Sequence, residues 1–386
     1  MPVANPMIVG VPREVKDNEY RIAMTPPGVH ELVREGHRVL IEREAGEGSA
    51  ITDAEFVAAG ASIVNHAADV WGEADLVLKV KEPIVEEYPL LRQDAILFTY
   101  LHLAASESCT RALVDSGITA IAYETVQRED GMLPLLYPMS EVAGRMAPQV
   151  GAHYLERSAG GRGMLMGGVS GAHDACVVII GAGVTGMNAA AVCVGMGART
   201  VVLDRDISKL RTMDRMYQGR VQTVASSTYE VANAVLEADL VIGAVLLPGA
   251  RAPKLVSNEL VSRMKRGAVL VDIAVDQGGC FEDTHPTTHS APTFAVHDTV
   301  FYCVANMPGA VPRTSTYALT NVTLPYVAEI AGSGLAGAVR RDPSLAAGVN
   351  IANGQVVYPA VAEAHGMPRI PLVEALPQVP GTHQVP

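Results

Sequence analysis

Basic residues are in short supply. The 386-residue chain holds 29 Lys and Arg against 41 Asp and Glu, a formal charge of −12 with histidine neutral. Its cations gather nowhere into a block that could track a phosphate backbone, so no nucleic-acid partner and no anionic membrane surface is expected. Cysteine is scarce too: Cys109, Cys176, Cys193, Cys280 and Cys303 are odd in number, widely spaced and without a C-x-x-C pair. They read as reduced core residues of a cytoplasmic protein, which excludes a disulfide frame and a cysteine zinc site. The opening segment MPVANPMIVGVPREVK has no basic stretch followed by a long apolar one, so no secretory signal is expected. Charged residues make up only 18% and apolar residues 49%, far from a disordered composition, and the apolar surplus is of the kind buried between subunits.

Long uncharged runs are also rare. The serious membrane candidate is Ala175 to Ala198, between Asp174 and Arg199. It contains Gly181, Gly183 and Gly186 and switches from β-branched Val177, Val178, Ile179 and Ile180 to Ala189, Ala190 and Ala191, which suits a buried strand, a turn and a buried helix better than a span.

At about 150 residues per domain, the length predicts two to three domains. Apolar strand patterns at Met7–Gly10, Arg38–Glu42, Leu76–Val80, Ala95–Phe98 and Thr119–Ala122 alternate with helical patterns at Pro26–Glu35, Ala54–Ala59 and Ser106–Val114. A second alternation has strands at Val177–Ile180, Thr200–Leu203, Leu240–Ala244 and Ala268–Asp272. Its helices fall at Val184–Gly195, Ile207–Tyr217, Tyr229–Glu237 and Ser257–Met264. Alternation of this kind predicts an α/β protein with parallel sheets covered by helices. Between the two lie a long helical pattern, Met139–Arg157, and the connector Gly160–Gly168. After Asn306 the alternation stops, and a nearly uncharged helix over Ser315–Ile330 is expected to lead the chain back to the first domain, with a loosely held Pro-rich tail from Pro368.

Gly181-Ala182-Gly183-Val184-Thr185-Gly186 fits G-x-G-x-x-G in its proper setting, after a strand and opening a helix. Gly181 permits the tight turn, Gly183 lets a pyrophosphate approach the backbone, Gly186 allows close helix packing, and the helix N-terminus supplies unpaired N–H groups. Asp204 ends the next strand in TVVLD, where a carboxylate accepts ribose hydroxyls and repels a 2′-phosphate, favouring NAD over NADP. Arg205 beside it could instead accommodate that phosphate.

Outside that motif, the segments VPREVKDNEYRIAMTP, LVLKVKEP, LFTYLHLA, YETV, PMSEVAGRMAPQVGA, GAGVTG, VDIAVDQGG and ANMPGAVPRTST resemble the alanine dehydrogenase and pyridine-nucleotide transhydrogenase family, in order from about Ile8 to about His365. The resemblance implies two doubly wound parallel-sheet domains, an NAD-binding Rossmann domain inserted into a Rossmann-like substrate domain. The implied boundaries are 1–134 and 311–368 for the substrate domain, 135–310 for the NAD domain and 369–386 for the tail. It further implies a homohexamer and the reversible oxidative deamination of L-alanine to pyruvate and ammonium, these small molecules being its partners.

Carried over by position, Arg21 resembles the carboxylate anchor, Lys81 the lysine at the substrate carboxylate or carbonyl oxygen, and His102 and Asp276 the catalytic pair. Ser140, Asp204, Ser226, Asn306 and Met307 fall where the family contacts NAD, as do backbone positions at Val184, Thr185, Val245, Leu246, Ile273 and Ala274, with Asp276 at the nicotinamide end. Two rival functions share the nucleotide motif: the NAD-binding component of a transhydrogenase, and a catalytically silent NAD sensor.

The same residues can be read as chemistry. A guanidinium fork at Arg21 can bond both oxygens of a carboxylate, although Arg13, Glu14, Lys16, Asp17 and Glu19 around it also suit a plain charged loop. Lys81 and His102 each follow an apolar strand, and ligands of open α/β sheets bind at that end. His102 can exchange protons near neutrality, or simply fill a core position. Asp276 precedes a Gly-rich turn, where aspartate is common on conformational grounds alone. No metal is assigned: Glu329 has no His or Asp at ligand spacing, and His285, His289 and His297 read as solvated loop residues.

Overall fold

In a computed structural model, which describes residues 6–245, 252–275 and 278–376, the chain divides into two compact units. One runs up to Pro138 and resumes at Val311; the other is Met139–Ala310.

The strands of the first unit are β1 (Ile8–Val11), β2 (Arg38–Glu42), β3 (Ser62–Val64), β4 (Leu76–Leu78), β5 (Ile96–Thr99), β6 (Thr119–Ala122), β14 (Val349–Ala352) and β15 (Gln355–Val356). They pair in the order β3-β2-β1-β4-β5-β6-β14-β15. The first six are parallel to their neighbours, whereas β14 joins β6 antiparallel and β15 folds back on β14. The order reverses direction between β1 and β4, the switch point at which open α/β sheets leave a crevice beyond their strand ends. Strands such as β4, Leu-Val-Leu and wholly buried, are continuous apolar runs because helices cover both faces. Trp71, Val77, Leu97, Leu101, Leu113 and Ile351 share one core cluster. Local signals agree with the helices. Thr52 and Glu55 form a reciprocal capping box before Asp53–Ala58, and Ser106 caps Glu107–Ser116, which ends at Gly117 with φ 74°.

The helix expected over Ser315–Ile330 runs further, Pro312–Arg341, with a non-helical Gly334. It is long and apolar enough to cross a membrane by length and composition, yet it packs on helix Pro26–Arg34 and on the 3₁₀ turn Glu47–Ser49. The tail also departs from expectation. Arg369 and Ile370 donate to Val357 and Val356 carbonyls, and Asn353 donates to Ala375, so the chain is docked as far as Leu376; positions 377–386 lie outside the described residues.

The second unit contains β7 (Cys176–Ile180), β8 (Arg199–Asp204), β9 (Val221–Ala225), β10 (Leu240–Gly243), β11 (Val269–Asp272), β12 (Thr293–Val296) and β13 (Thr299–Tyr302), in the order β9-β8-β7-β10-β11-β13-β12. All pairs are parallel except β12 with β13. Again the order reverses, here between β7 and β10. The uncharged run from Ala175 is β7, a glycine turn and helix Val184–Gly195, with β7 buried throughout. All five cysteines are free and buried.

Candidate active site

In the first unit, the loops leaving three adjacent strands carry the three polar residues singled out above. Arg21 follows β1, Lys81 follows β4 and His102 follows β5. Arg21 is not a surface residue of a charged loop: only 2% of it is exposed, and its Nε donates to Glu19 Oε1 at 2.6 Å while Nη2 donates to Oε2. Burial alone would lower the Arg21 pKa, but the Glu19 carboxylate outweighs it and holds the guanidinium above its ordinary value. The next amide, Ile22, donates to the Thr316 hydroxyl at 3.1 Å, so the long C-terminal helix fixes this loop from below.

Lys81 is held through its backbone. Thr99 donates to its carbonyl at 3.1 Å, and the Glu14 carboxylate accepts from the amides of Val80 at 2.5 Å and Lys81 at 3.4 Å. Glu14 belongs to a buried cluster that sequence reading missed. Lys79 Nζ, with no exposed surface, lies 3.1 Å from Glu14 Oε2 and 2.9 Å from Glu87 Oε1. Burial pushes Glu14 above the usual carboxylate range, although Lys79 pulls against it. Lys79 itself is raised, burial being outweighed by its two acidic neighbours. The only signal for this cluster was a lysine inside an apolar strand end.

His102 is not a core histidine; its side chain is 48% exposed. Its ring stacks on Tyr100 with centroids 6.1 Å apart and planes 4° from parallel. Tyr100 is buried and donates to Leu135 O at 2.6 Å; burial drives its phenol pKa up, against the pull of Arg21. His102 adopts φ 49° and ψ 37°, a left-handed conformation that costs a residue with a Cβ about 1–2 kcal/mol.

In the second unit the glycine turn has the geometry of a phosphate cradle. Gly181 sits at φ 110°, and a Cβ there would stand 2.6 Å from Ala244 O; one on Gly186 would stand 1.8 Å from Gly181 O. Gly183 faces open space, with nothing within 4 Å of a Cβ, and caps helix Val184–Gly195 without a side-chain bond. The first helical amides therefore open onto a turn with room for a pyrophosphate. Asp204 stands at the same turn, Oδ2 accepting from Ala182 at 2.6 Å and Oδ1 from Asp206 at 2.8 Å. Ser226 follows β9 and donates its amide to Asp204 O. Val245 lies just past β10, and Ile273 and Ala274 just past β11, all on the strands' carboxyl side.

Asp272, wholly buried, ties the segment after β11 by accepting from Ala274, Cys280, Phe281 and the Thr284 hydroxyl; burial raises its pKa against these four bonds. Asp276 and Leu246 lie outside the described residues. Ser140 is in helix Tyr137–Tyr154, and Asn306, at φ 65°, precedes the 3₁₀ turn Met307–Ala310.

Of the loop histidines, His285 and His297 are exposed, as expected, and His289 is half-buried. His289 Nε2 is 3.1 Å from Asn306 O, His297 Nε2 is 3.0 Å from Asn258 Oδ1, and His285 stacks on Phe294 at 3.8 Å. His289 thus steadies a residue expected at the cofactor. It also lines a pocket of about 330 Å³ with Gln149, His153, Tyr154 and Tyr302, which holds none of the predicted site residues. Among the described residues no group of three His, Cys, Asp or Glu could hold a metal ion.

Two sheets of this strand order, one carrying a G-x-G-x-x-G cradle closed by a strand-end aspartate, define a Rossmann-type, pyridine-nucleotide-dependent oxidoreductase. The family description "Alanine dehydrogenase/PNT, N-terminal domain" matches residues 10–143, and the corresponding C-terminal domain matches 147–359; the chain belongs to this family. Among curated relatives, an alanine dehydrogenase of Mycobacterium tuberculosis (strain ATCC 25618 / H37Rv) is 63% identical, covering 94% of this chain and 98% of its own. One from Bacillus subtilis (strain 168) is 52% identical over 96% of this chain and 98% of its own. A solved L-alanine dehydrogenase superposes with a TM-score of 0.91 at 49% identity, covering 93% of this chain and 99% of that one. A transhydrogenase from Sinorhizobium meliloti reaches 0.78 at 26% identity, covering 92% and 99%.

Proposed function

We propose that this chain catalyses the reversible NAD-dependent oxidative deamination of L-alanine to pyruvate and ammonium. The observation that carries the reading is the placement of Arg21, Lys81 and His102 in the loops leaving the adjacent strands β1, β4 and β5, in a family whose curated relatives at 52–63% identity are named alanine dehydrogenases. Arg21, its plane fixed by Glu19, clamps the carboxylate common to alanine and pyruvate. Lys81 polarises the carbonyl oxygen of pyruvate. His102, 48% exposed, takes a proton from the substrate ammonium and passes it to solvent, then takes one from the attacking water and returns it to the departing nitrogen, and Asp276 holds its imidazole or orients that water. Bound NAD supplies the acceptor for the hydride leaving Cα. The Gly181–Gly186 turn with Val184 and Thr185 holds its pyrophosphate and Asp204 its ribose, while Ser140, Ser226, Val245, Leu246, Ile273, Ala274, Asn306 and Met307 line the rest.

In this reading residues 1–134 and 311–368 form the substrate domain, 135–310 the NAD domain and 369–386 a tail, and the enzyme is a cytoplasmic homohexamer. Five free, buried cysteines support a reducing compartment. The transhydrogenase reading is supported by a relative only 26% identical, against 52–63% for the dehydrogenases. One experiment tests all readings: absorbance at 340 nm, followed after mixing protein, NAD and L-alanine. A rise supports the dehydrogenase; its absence leaves a transhydrogenase component or an NAD sensor. Light scattering gives the oligomer.

A further inference from the structure

The backbone of His102 is held in an unfavourable conformation by a side chain from the neighbouring strand's end. Thr99, the last residue of β5, pairs with Ala122, the last of β6. Two residues past Ala122, Glu124 turns its carboxylate back across the strand ends. Oε1 accepts from the His102 amide at 2.6 Å, and both oxygens lie 3.2 Å from the Leu101 amide. Oε1 is also 3.9 Å from His102 Nδ1. A left-handed residue other than glycine persists where its surroundings over-determine it, and a carboxylate accepting two consecutive N–H groups is a strong contact of that kind. His102 itself is 48% exposed, so packing alone does not hold the ring, whereas Glu124 is only 14% exposed.

We infer that Glu124 is the positioning residue of His102: its carboxylate clamps the Leu101 and His102 amides, fixes the left-handed turn and so aims the imidazole. The inference rests on the reading of His102 as the proton carrier. Without the clamp, His102 returns to an ordinary backbone conformation and its imidazole leaves the substrate, while Arg21 and Lys81, held by other residues, still bind it.

The test compares wild type, Glu124→Gln, Glu124→Ala and Glu124→Asp in two readouts: steady-state alanine oxidation, and hydrogen exchange of a peptide spanning Tyr100–Leu103. The glutamine keeps an acceptor oxygen at the same reach; alanine has none, and aspartate is too short. The expected result is faster exchange and a kcat lower by about tenfold or more in Glu124→Ala and Glu124→Asp. KM for alanine should stay within about threefold, and Glu124→Gln should stay close to wild type in both readouts. Where Glu124→Ala does not fold, Glu124→Asp against Glu124→Gln decides. Wild-type exchange in Glu124→Ala or Glu124→Asp overturns the clamp, and so does a Glu124→Gln as impaired as they are. Should His102→Ala keep wild-type turnover, the proton-carrier reading falls, while the exchange data still decide whether the clamp exists.

Discussion

The Asp204 carboxylate accepts a hydrogen bond from the Ala182 amide at 2.6 Å, joining the end of β8 to the turn that follows β7. The acid proposed to read the ribose is thereby also part of the phosphate turn. Asp204→Ala is expected to weaken NAD about ten- to a hundredfold, the equivalent of one charge-assisted hydrogen bond at about 1.5–3 kcal/mol. NADP should weaken less. Calorimetric titration with both cofactors checks this, and unchanged NAD affinity removes Asp204 from the site.

Gly183 and Gly186 should separate binding from folding. Gly183 has φ −75° and open space around its Cβ position, so Gly183→Ala should leave the melting temperature within about 2 °C while NAD affinity falls about tenfold or more, because the added methyl fills the cradle. Gly186→Ala drives a Cβ to 1.8 Å from Gly181 O and should lower the melting temperature itself. Melting curves with and without NAD distinguish the two.

Arg21→Ala leaves Glu19 buried without its guanidinium, so it should destabilise by about 3–5 kcal/mol as well as lose substrate. Arg21→Lys keeps the charge but not the planar fork. It should fold and raise KM for pyruvate about tenfold with a smaller effect on kcat. A kcat fall at unchanged KM would place Arg21 in the chemistry instead.

Lys79→Met should cost about 3–5 kcal/mol by stranding the Glu14 and Glu87 carboxylates in the interior. The pH dependence follows from the raised Lys79 pKa. A cation whose folded pKa exceeds its unfolded value of 10.5 contributes fully below that pH and loses its contribution as pH rises above it. The gap in denaturant midpoint between wild type and Lys79→Met should accordingly be constant from pH 8 to about 10 and shrink beyond.

His102→Ala should lower turnover by about 10² to 10⁴ with a smaller change in KM, the usual worth of general acid–base catalysis. Asp276→Asn should lower turnover with NAD binding nearly intact. Wild-type turnover in both variants would sink the proposed pair.

What the sequence made legible follows how locally each feature is encoded. β2, β6 and helices Val184–Gly195 and Ile207–Tyr217 have the bounds their apolar patterns predict. The pattern gave no notice of β3, with no residue fully buried, or of β9, an edge strand in which only Val221 is buried. Lys81 and His102 stand just past strand ends, where sequence order alone puts them, whereas Arg21 lies in the loop ten residues beyond β1. Their supports are non-local: Glu14 reaches Val80 across 66 positions and Glu124 reaches His102 across 22, and no periodicity announces such partners.

Asn350, within β14, donates to the hydroxyl of Thr125, just past β6, at 2.7 Å, across 225 positions of chain. During synthesis, then, the edge of β6 waits unpaired for its antiparallel neighbour. At about 5–20 residues per second the wait lasts roughly 11 to 45 s. Met139–Ala310 is continuous and completes in that interval, so the second unit can fold on the ribosome while the first still exposes an open edge. Chaperones that shield strand edges would act on the first unit, and a ribosome stalled between Ala310 and Val349 would display a finished nucleotide fold beside an unfinished partner.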